Sequence, residues 1–492
     1  MKKGFLGFLF LFLSFSGFAQ VLNSTTVEVV GSPSWYRAIS LEDKGLILIL
    51  KEDQTRFKVV RYDMHLAKLW EQDLFLDTEK PPAAIRQYQD RLALVFSETS
   101  GMYYQLIDFD LKGGEYFRRG FEIRDFFQDS DLVMFKDKVV LVGTNEKGAA
   151  YFVYDFKSDL GRIIETGLTG KITINHVSLD SDSLLNILAT EKTVGYTNEK
   201  KKKGEYVRSS QIVYTQLDTS GIVKSKKTIV QNSGRFPVSA TIQPEKEIVS
   251  GIYQDTKGDK GVYFSFLDKP QNTPTFFVSF RELVGNQLSE KDKKKFYGNA
   301  DFYVLSPKTN SQEIFIGGIF YTRKYQYFNS NQGFNLTSGR NSSASQPVMA
   351  GLEFSSAFVF NLDAQGTKTL QNQIPVNQTS AQFISPLTIN NAGSVAYVSK
   401  GKLLIRNFEV GTKPVVYQLT EDTDGVASYV PGYTQVMHWH DNVFLAIGSQ
   451  SKVEAQQLEQ DKISKKKKKK SRPFTQTRKT YFLTSVSAGQ AR

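Results

Sequence analysis

A chain of 492 residues carries 62 Lys and Arg against 50 Asp and Glu, a formal charge of +12, with 40% hydrophobic and 13% aromatic residues. It contains no cysteine, which excludes disulfides, thiolate metal sites, a cysteine nucleophile and lipid attachment to an N-terminal cysteine. Such a fold must be held by its core, and this length allows a large one.

The chain opens MKKGFLGFLFLFLSFSGFAQ, with two lysines before an apolar run from Phe5 to Phe15. Gly17 and Ala19 fit the small-residue positions of a signal-peptide cleavage site between Ala19 and Gln20. The run is too short to span a bilayer, and no later segment approaches twenty apolar residues. Residues 1–19 are therefore expected to be a signal peptide, leaving an exported chain, periplasmic or secreted, with no transmembrane span. Export argues against an intracellular nucleic-acid partner. In these features the chain resembles an exported protein of a Gram-negative envelope. Asn23, Asn335, Asn341 and Asn377 head Asn-x-Ser/Thr sequons, which matter only in a glycosylating host.

Beyond this segment one pattern recurs: an apolar strand, an acid, then a turn. KVVRYDMH carries Asp63, YQLIDFDLKG Asp110, YFVYDFKSDLG Asp155 and QIVYTQLDTSG Asp218. GVYFSFLDKP carries Asp268, AFVFNLDAQG Asp363, and KLLIRNFEVG has Glu409 in the same place. The spacings are 47, 45, 63, 50, 95 and 46, and a basal period of about 46 is the size of a four-stranded propeller blade. The acid caps its own turn by accepting backbone N–H bonds, and the following glycine takes the positive φ. Calcium is the sharper reading of recurrent Asp-x-x-Gly, but one carboxylate per blade is too dilute for six to eight oxygen ligands.

Upstream of each acid-ending strand, here strand c, lies a second apolar strand b. The eight b strands are GLILIL, LALVFS, VVLVGT, LLNILAT, EIVSGIY, EIFIGGIF, SVAYVS and NVFLAIG. Small residues close several of them, as crowding near a central axis would require. A shorter strand a precedes each b, and a strand d follows each c. The eighth blade is incomplete: KTYFLTSVS supplies its strand c, and no strand d follows. VLNSTTVEVV, from Val21 to Val30, has no partner of its own and is expected to complete that blade, which removes both sheet edges.

The pattern resembles the β-propeller class over essentially the whole mature chain. The expectation is an all-β fold, a single propeller of eight four-stranded blades over residues 20–492. The alternatives are seven blades with an extra sheet, or two smaller β domains. The Trp-Asp signature and the kelch glycine pairs of known propeller groups are missing, so no family's functional residues carry over.

Four segments interrupt the repeat: 193–208, 321–352 and 451–479 between strands b and c of blades four, six and eight, and 284–298 between blades five and six. In an up-and-down blade the b–c and d–a connections emerge on the same face, so all four are expected on one rim. Removing Lys2 and Lys3 with the signal peptide lowers the net charge to +10. Segment 193–208 has five basic and two acidic residues, 284–298 four and two, and 451–479 eleven and three. These segments together hold +13, and the rest of the mature chain holds −3. Lys200, Lys201, Lys202 and Lys203 form one run, and Lys465, Lys466, Lys467, Lys468, Lys469 and Lys470 form the other. Like-charge blocks ordinarily behave as solvated, self-repelling loops. Gathered on one rim they also suit an anionic glycan or an acidic protein.

Tyr321, Arg323, Tyr325 and Tyr327 alternate along one side of an extended strand. That arrangement suits stacking on a sugar, peptide or base, and equally stabilises a protruding hairpin through cross-strand pairs. VMHWHD offers His438, His440 and Asp441, but zinc needs a further ligand and only His65 and His176 remain as imidazole donors. Asp441 and Asn442 read instead as the a–b turn. No Gly-x-Ser-x-Gly, phosphate-binding glycine loop or His-Glu-x-x-His is present, and no cofactor is expected. The expectation is a monomeric, non-catalytic binding or scaffold propeller. The competing reading is a glycan hydrolase or lyase, which a carboxylate beside His176 in the central funnel would favour.

Overall fold

The computed structural model describes residues 21–29, 35–53, 55–76, 78, 81–97, 102–123, 127–135, 138–168, 170–180, 184–199, 202–218, 222–243, 247–267, 275–284, 301–309, 313–328, 346–363, 367–380, 385–407, 413–419, 427–430, 433–455 and 475–488. They form eight antiparallel sheets arranged as a propeller, each following the order a-b-c-d. Blade one comprises Tyr36–Ser40, Leu46–Lys51, Arg56–Tyr62 and Lys68–Phe75. All eight strand-b segments read from the sequence occupy the second place in their sheets. The predicted signal peptide lies outside the described residues. Among the described residues, no helix is long and apolar enough to cross a membrane.

Why those b strands are unbroken apolar runs follows from their place between neighbours. In Leu46–Lys51 every residue is buried. Leu46, Leu48 and Leu50 join Trp439, Leu445 and Ile447 of blade eight, while Ile47 and Ile49 join Leu92, Leu94 and Phe109 of blade two. Period-two alternation persists, but both faces are apolar. Eight core clusters each fill one of the eight interfaces between consecutive blades. The fifth-to-sixth interface is aromatic, with Phe280, Phe302, Phe320 and Phe358 in tilted and edge-on contact at 5.1–6.1 Å. Phe280 belongs to a short helix, Phe280–Val284. Its start is capped reciprocally: Glu282 N–H donates to Ser279 Oγ (3.2 Å) and Ser279 N–H to the Glu282 carboxylate (2.7 Å).

The ring closes as expected. Val21–Glu28 pairs antiparallel with Thr475–Ser487, from Val21 opposite Val486 to Glu28 opposite Thr480. Val27 is buried in the cluster shared by blades eight and one. Across the same seam the Tyr36 hydroxyl donates to the Ile447 carbonyl (3.0 Å), and Trp439 Nε1–H donates to the Gly45 carbonyl (3.1 Å).

The acid-ended turns have the hydrogen bonds a capping role requires. Asp63 Oδ1 accepts from the N–H groups of His65 and Ala67, both at 2.8 Å. Asp110, Asp155, Asp218 and Asp363 accept in the same way from Lys112, Lys157, Ile222 and Thr367. Asp268 and Glu409 lie outside the described residues. Glycine is not the general source of the positive φ, however. Gly114 supplies it after Asp110 (78°), but Leu66 does so after Asp63 (60°) and Asp159 after Asp155 (58°). A short turn held by two acceptor bonds can evidently bear the strain of a side chain there.

The axis is lined by strand a rather than strand b. The a strands of blades two, three and four, Ala84–Tyr88, Gln128–Phe135 and Lys171–Leu179, lie against one another, whereas d strands such as Leu160–Glu165 are mostly exposed. Small residues at the ends of b strands serve local packing instead: Gly143 and Gly448 lie beneath the rings of Phe127 and Phe482.

Deleting Val21–Glu28 is expected to lower the thermal midpoint. The loss should be about 3 kcal/mol or more, from Val27 burial and a ladder of backbone bonds each worth about 1 kcal/mol. Calorimetry measures it, and an unchanged midpoint would mean the strand is not a clasp.

Candidate functional site: the arm-bearing face and the axis

Where they are described, segments 193–208, 321–352 and 451–479 continue strands b and c. In blade four, strands b and c run as Leu185–Glu199 and Lys202–Leu217, paired up to Glu199 opposite Lys202. Strand a ends its pairing at Lys171 opposite Lys192, and strand d at Gln231 opposite Gln211. Beyond that row only two strands remain, so a hairpin arm stands off the blade. Blade six does the same with Glu313–Phe328 and Gln346–Asp363, and blade eight with Val443–Ala455 and Thr475–Ser487. Strand order places the three arms on one face. The connection from blade five, which leaves through the helix Phe280–Val284, departs on that face as well.

Lys202 and Lys203 lie in strand c of blade four, opposite Glu199 and Asn198. Lys200, Lys201 and the whole run Lys465–Lys470 lie outside the described residues. In the blade-six arm, Tyr321 serves the core: it is 8% exposed, near Phe354 (6.3 Å) and Tyr303 (6.3 Å) at the interface with blade seven. At that point strand b is still inside the blade, which is why the ring has no free face. Arg323, two residues further out, is exposed. Tyr325 and Tyr327 continue the ladder opposite Met349 and Pro347.

The accessible aromatic rings described on an arm belong instead to blade four. Tyr196 is 73% and Tyr206 45% exposed, and the Arg208 guanidinium lies 5.9 Å from the Tyr206 ring centroid. Gly195, opposite Tyr206, makes room for this pair: a Cβ there would meet Arg208 Nε at 2.5 Å and the Tyr206 ring at 2.8 Å. At the root of the arm a cleft of about 780 Å³ is lined by Lys171, Glu191, Lys192, Ser209, Gln211, Lys226 and neighbouring residues. Glu191 accepts from Gln211 Nε2 (2.6 Å) and pairs with Lys226 (3.1 Å). The Lys192 amine is held below its ordinary pKa by burial and then by the charge of Lys171.

Along the axis the structure brings together three residues from three blades. Arg86 of blade two donates to the Leu132 carbonyl (2.9 Å) and the Asp131 carboxylate (3.1 Å) of blade three, and to the Val177 carbonyl (2.9 Å) of blade four. Asp131 also accepts from the Leu132 N–H (2.8 Å). Burial raises the Asp131 pKa against the opposing pull of Arg86. His176 of blade four joins this group. Its pKa is lowered by burial and then by Arg86, against the pull of Asp131, and its buried Nε2 has no hydrogen-bond partner. Strand a bulges beside both side chains, between Asp129 and Asp131 and between Ile174 and His176. The guanidinium thus staples three inner strands.

On the opposite face, His438 and one nitrogen of His440 are occupied locally, while His440 Nε2 is buried without a hydrogen-bond partner. His438 Nε2 is 2.8 Å from the Asp441 carbonyl and His440 Nδ1 is 3.2 Å from the Asp441 carboxylate, which also pairs with Lys44 of blade one at 2.8 Å. Asp441 has φ 44° and forms the a–b turn with Asn442.

No protein-family model matches the chain, and no curated protein matches it. Among solved structures it is similar to polysaccharide lyase Uly1, with 8% identity over 96% of this chain and 98% of that one, TM-score 0.39. It is also similar to the Dos1 propeller, with 11% identity over 84% and 93%, TM-score 0.38. Hydrazine synthase of Kuenenia stuttgartiensis gives 9% identity over 76% and 93%, TM-score 0.35.

Two variants test the axial staple. Arg86→Ala strands a partly buried carboxylate and should cost about 2–3 kcal/mol in denaturant unfolding. His176→Gln should alter pH dependence. Because the folded imidazole has a lowered pKa, the unfolded chain binds its proton more readily. Parental stability should therefore fall as pH drops below 6.5 toward the folded value, and the variant should lose that part of the slope. Identical slopes would remove His176 from the account.

Proposed function

We propose that this chain is an exported, non-catalytic binding propeller of the cell envelope that holds an anionic glycan or an acidic protein on its arm-bearing face. The observation that carries this reading is the outgrowth of strands b and c in blades four, six and eight on the same face, with the blade-four and blade-eight arms in segments that concentrate positive charge. A hairpin beyond its blade contributes little to the core, since a lone two-stranded ribbon is marginal in water. Its length is better explained by reach. The segments holding +13 stand against a remainder holding −3, so the attraction is local and the body does not share it.

A glycan-active enzyme is the second reading, favoured by one observation: a carboxylate, Asp131, and an imidazole, His176, share the axis with Arg86. Against it, both Asp131 oxygens are already engaged, by Leu132 N–H and by Arg86, and no second carboxylate joins the group among the described residues. Incubation with acidic polysaccharides separates the readings. New reducing ends that vanish in Asp131→Asn would favour catalysis.

Binding to immobilised heparin as a function of salt tests the first reading. Affinity should fall steeply with ionic strength, because each neutralised charge releases counterions. Replacing Lys465–Lys470 with a Gly/Ser linker should flatten the slope with the thermal midpoint nearly unchanged. Neutralising Lys200–Lys203 as well should flatten it further. A parent protein without anion affinity at physiological ionic strength would sink the proposal.

A further inference from the structure

Just beyond the point where the blade-four arm leaves the sheet, its ladder changes register. Thr193 pairs with Ser209 and Val194 with Val207, so Arg208 is an extra residue on strand c with no partner opposite. A bulge of this kind re-aims a side chain. Here the Arg208 guanidinium comes to 5.9 Å from the centre of the Tyr206 ring. Gly195, directly opposite Tyr206, leaves its side of the ladder empty, and both side chains converge on that space. A Cβ there would meet Arg208 Nε at 2.5 Å and the Tyr206 ring at 2.8 Å, so the glycine is what lets the two lie together. Both stay accessible: Tyr206 is 45% exposed, and Arg208 is exposed as well. Among the described residues no carboxylate pairs with Arg208 and no second ring covers Tyr206. A ring that served only to cover the glycine across the ladder would not need an unpaired guanidinium beside it.

An aromatic ring beside a planar cation recognises a flat apolar face and an oxyanion together. The face of the ring is negative and attracts the weakly positive C–H groups on one side of a pyranose. The guanidinium offers a fork of donors that matches a carboxylate or a sulfate. We propose that Tyr206 and Arg208 form a subsite for one acidic sugar residue, its pyranose face resting on the tyrosine ring and its acid group taken by the guanidinium. An acidic protein suits this pair less well. Protein anchors fill desolvated pockets ringed by contacts that exclude water, whereas Thr193 and Ser209 beside this pair are polar and exposed. A narrow polymer needs no such pocket, and an arm standing off its blade admits it from the side. The subsite rests on the proposed polyanion reading and narrows its ligand to a glycan.

The test measures the affinity of the full chain for a heparin oligosaccharide and an oligogalacturonate. Sodium polyphosphate and polyglutamate, which carry charge but no sugar ring, serve as comparisons. Tyr206→Ala should weaken both glycans about five- to tenfold, the scale of one lost stacking contact, and leave the two comparison polymers within about twofold. Tyr206→Phe keeps the ring and should bind as the parent does. Arg208→Lys keeps the charge without the planar fork and should weaken the glycans as well. Gly195→Ala leaves both groups in the chain but displaces them with its Cβ. It should lower glycan affinity with the thermal midpoint unchanged, because the arm stands outside the core. The glycan that loses more on Arg208→Gln identifies sulfate or carboxylate as the group held. Unchanged glycan affinity in Tyr206→Ala would overturn the subsite even where the heparin salt slope stands, and so would an equal loss on glycans and polyphosphate. A loss specific to the glycans, alongside a salt slope that the lysine replacements leave unaltered, would keep the subsite and remove the lysine runs from binding.

Discussion

Each blade interior is apolar on both faces, and the rest of the molecule depends on that. An isolated sheet of this kind would expose Leu46, Leu48 and Leu50 on one side and Ile47 and Ile49 on the other. Each such side chain contributes roughly 2 kcal/mol when buried, so a single open interface forfeits far more than a protein's usual margin of stability. Only a closed circle leaves no interface open. The chain therefore brings its first strand to its last blade, and the seam is reinforced by hydrogen bonds from Tyr36 and Trp439.

Closure creates a second problem at the centre. Eight inner strands each turn an edge toward the axis, and free edges invite unwanted pairing. The chain answers with irregularity. Strand a bulges in blades three, four and eight, and is split in blades five, six and eight. Arg86 ties three inner strands together with bonds to backbone carbonyls and one carboxylate, a use that favours a planar, multi-donor cation over lysine. The arms sit under the opposite regime. Among the described residues no neighbouring strand constrains the blade-four hairpin beyond Lys192 and Gln211, so charge and exposed rings accumulate there at little cost to the core.

Much of this was legible in the sequence because burial on two faces writes a strong signal. GLILIL or VVLVGT can hardly be anything but an interior strand, and the acid after strand c marks a turn whose bonds the structure contains. The arms were harder to read, since Thr, Gly, Asn and Lys compose a loop as readily as an exposed ladder, and Tyr321 and Tyr325 look alike in sequence while their strand passes out of the core between them. The axial group was hidden by distance. Yet Arg86, Asp131 and His176 are 45 residues apart in succession, the repeat length itself. That spacing puts a guanidinium, a carboxylate and an imidazole in strand a of three successive blades.

The clasp also has a consequence for how the chain reaches its fold. Asn23 meets Ser485 across 462 residues, so the closing contacts are about as non-local as a chain of this length permits. Loop closure must precede their reward, and such contacts slow folding. During synthesis the early blades can stack on one another as they emerge, but Leu46, Leu48 and Leu50 have no partner until strands b and c of blade eight are available. The nascent molecule is then an open arc with an apolar sheet at each end. Two such arcs could join end to end more easily than one could close at high concentration. A low concentration of such arcs favours the closed ring over the chain of arcs.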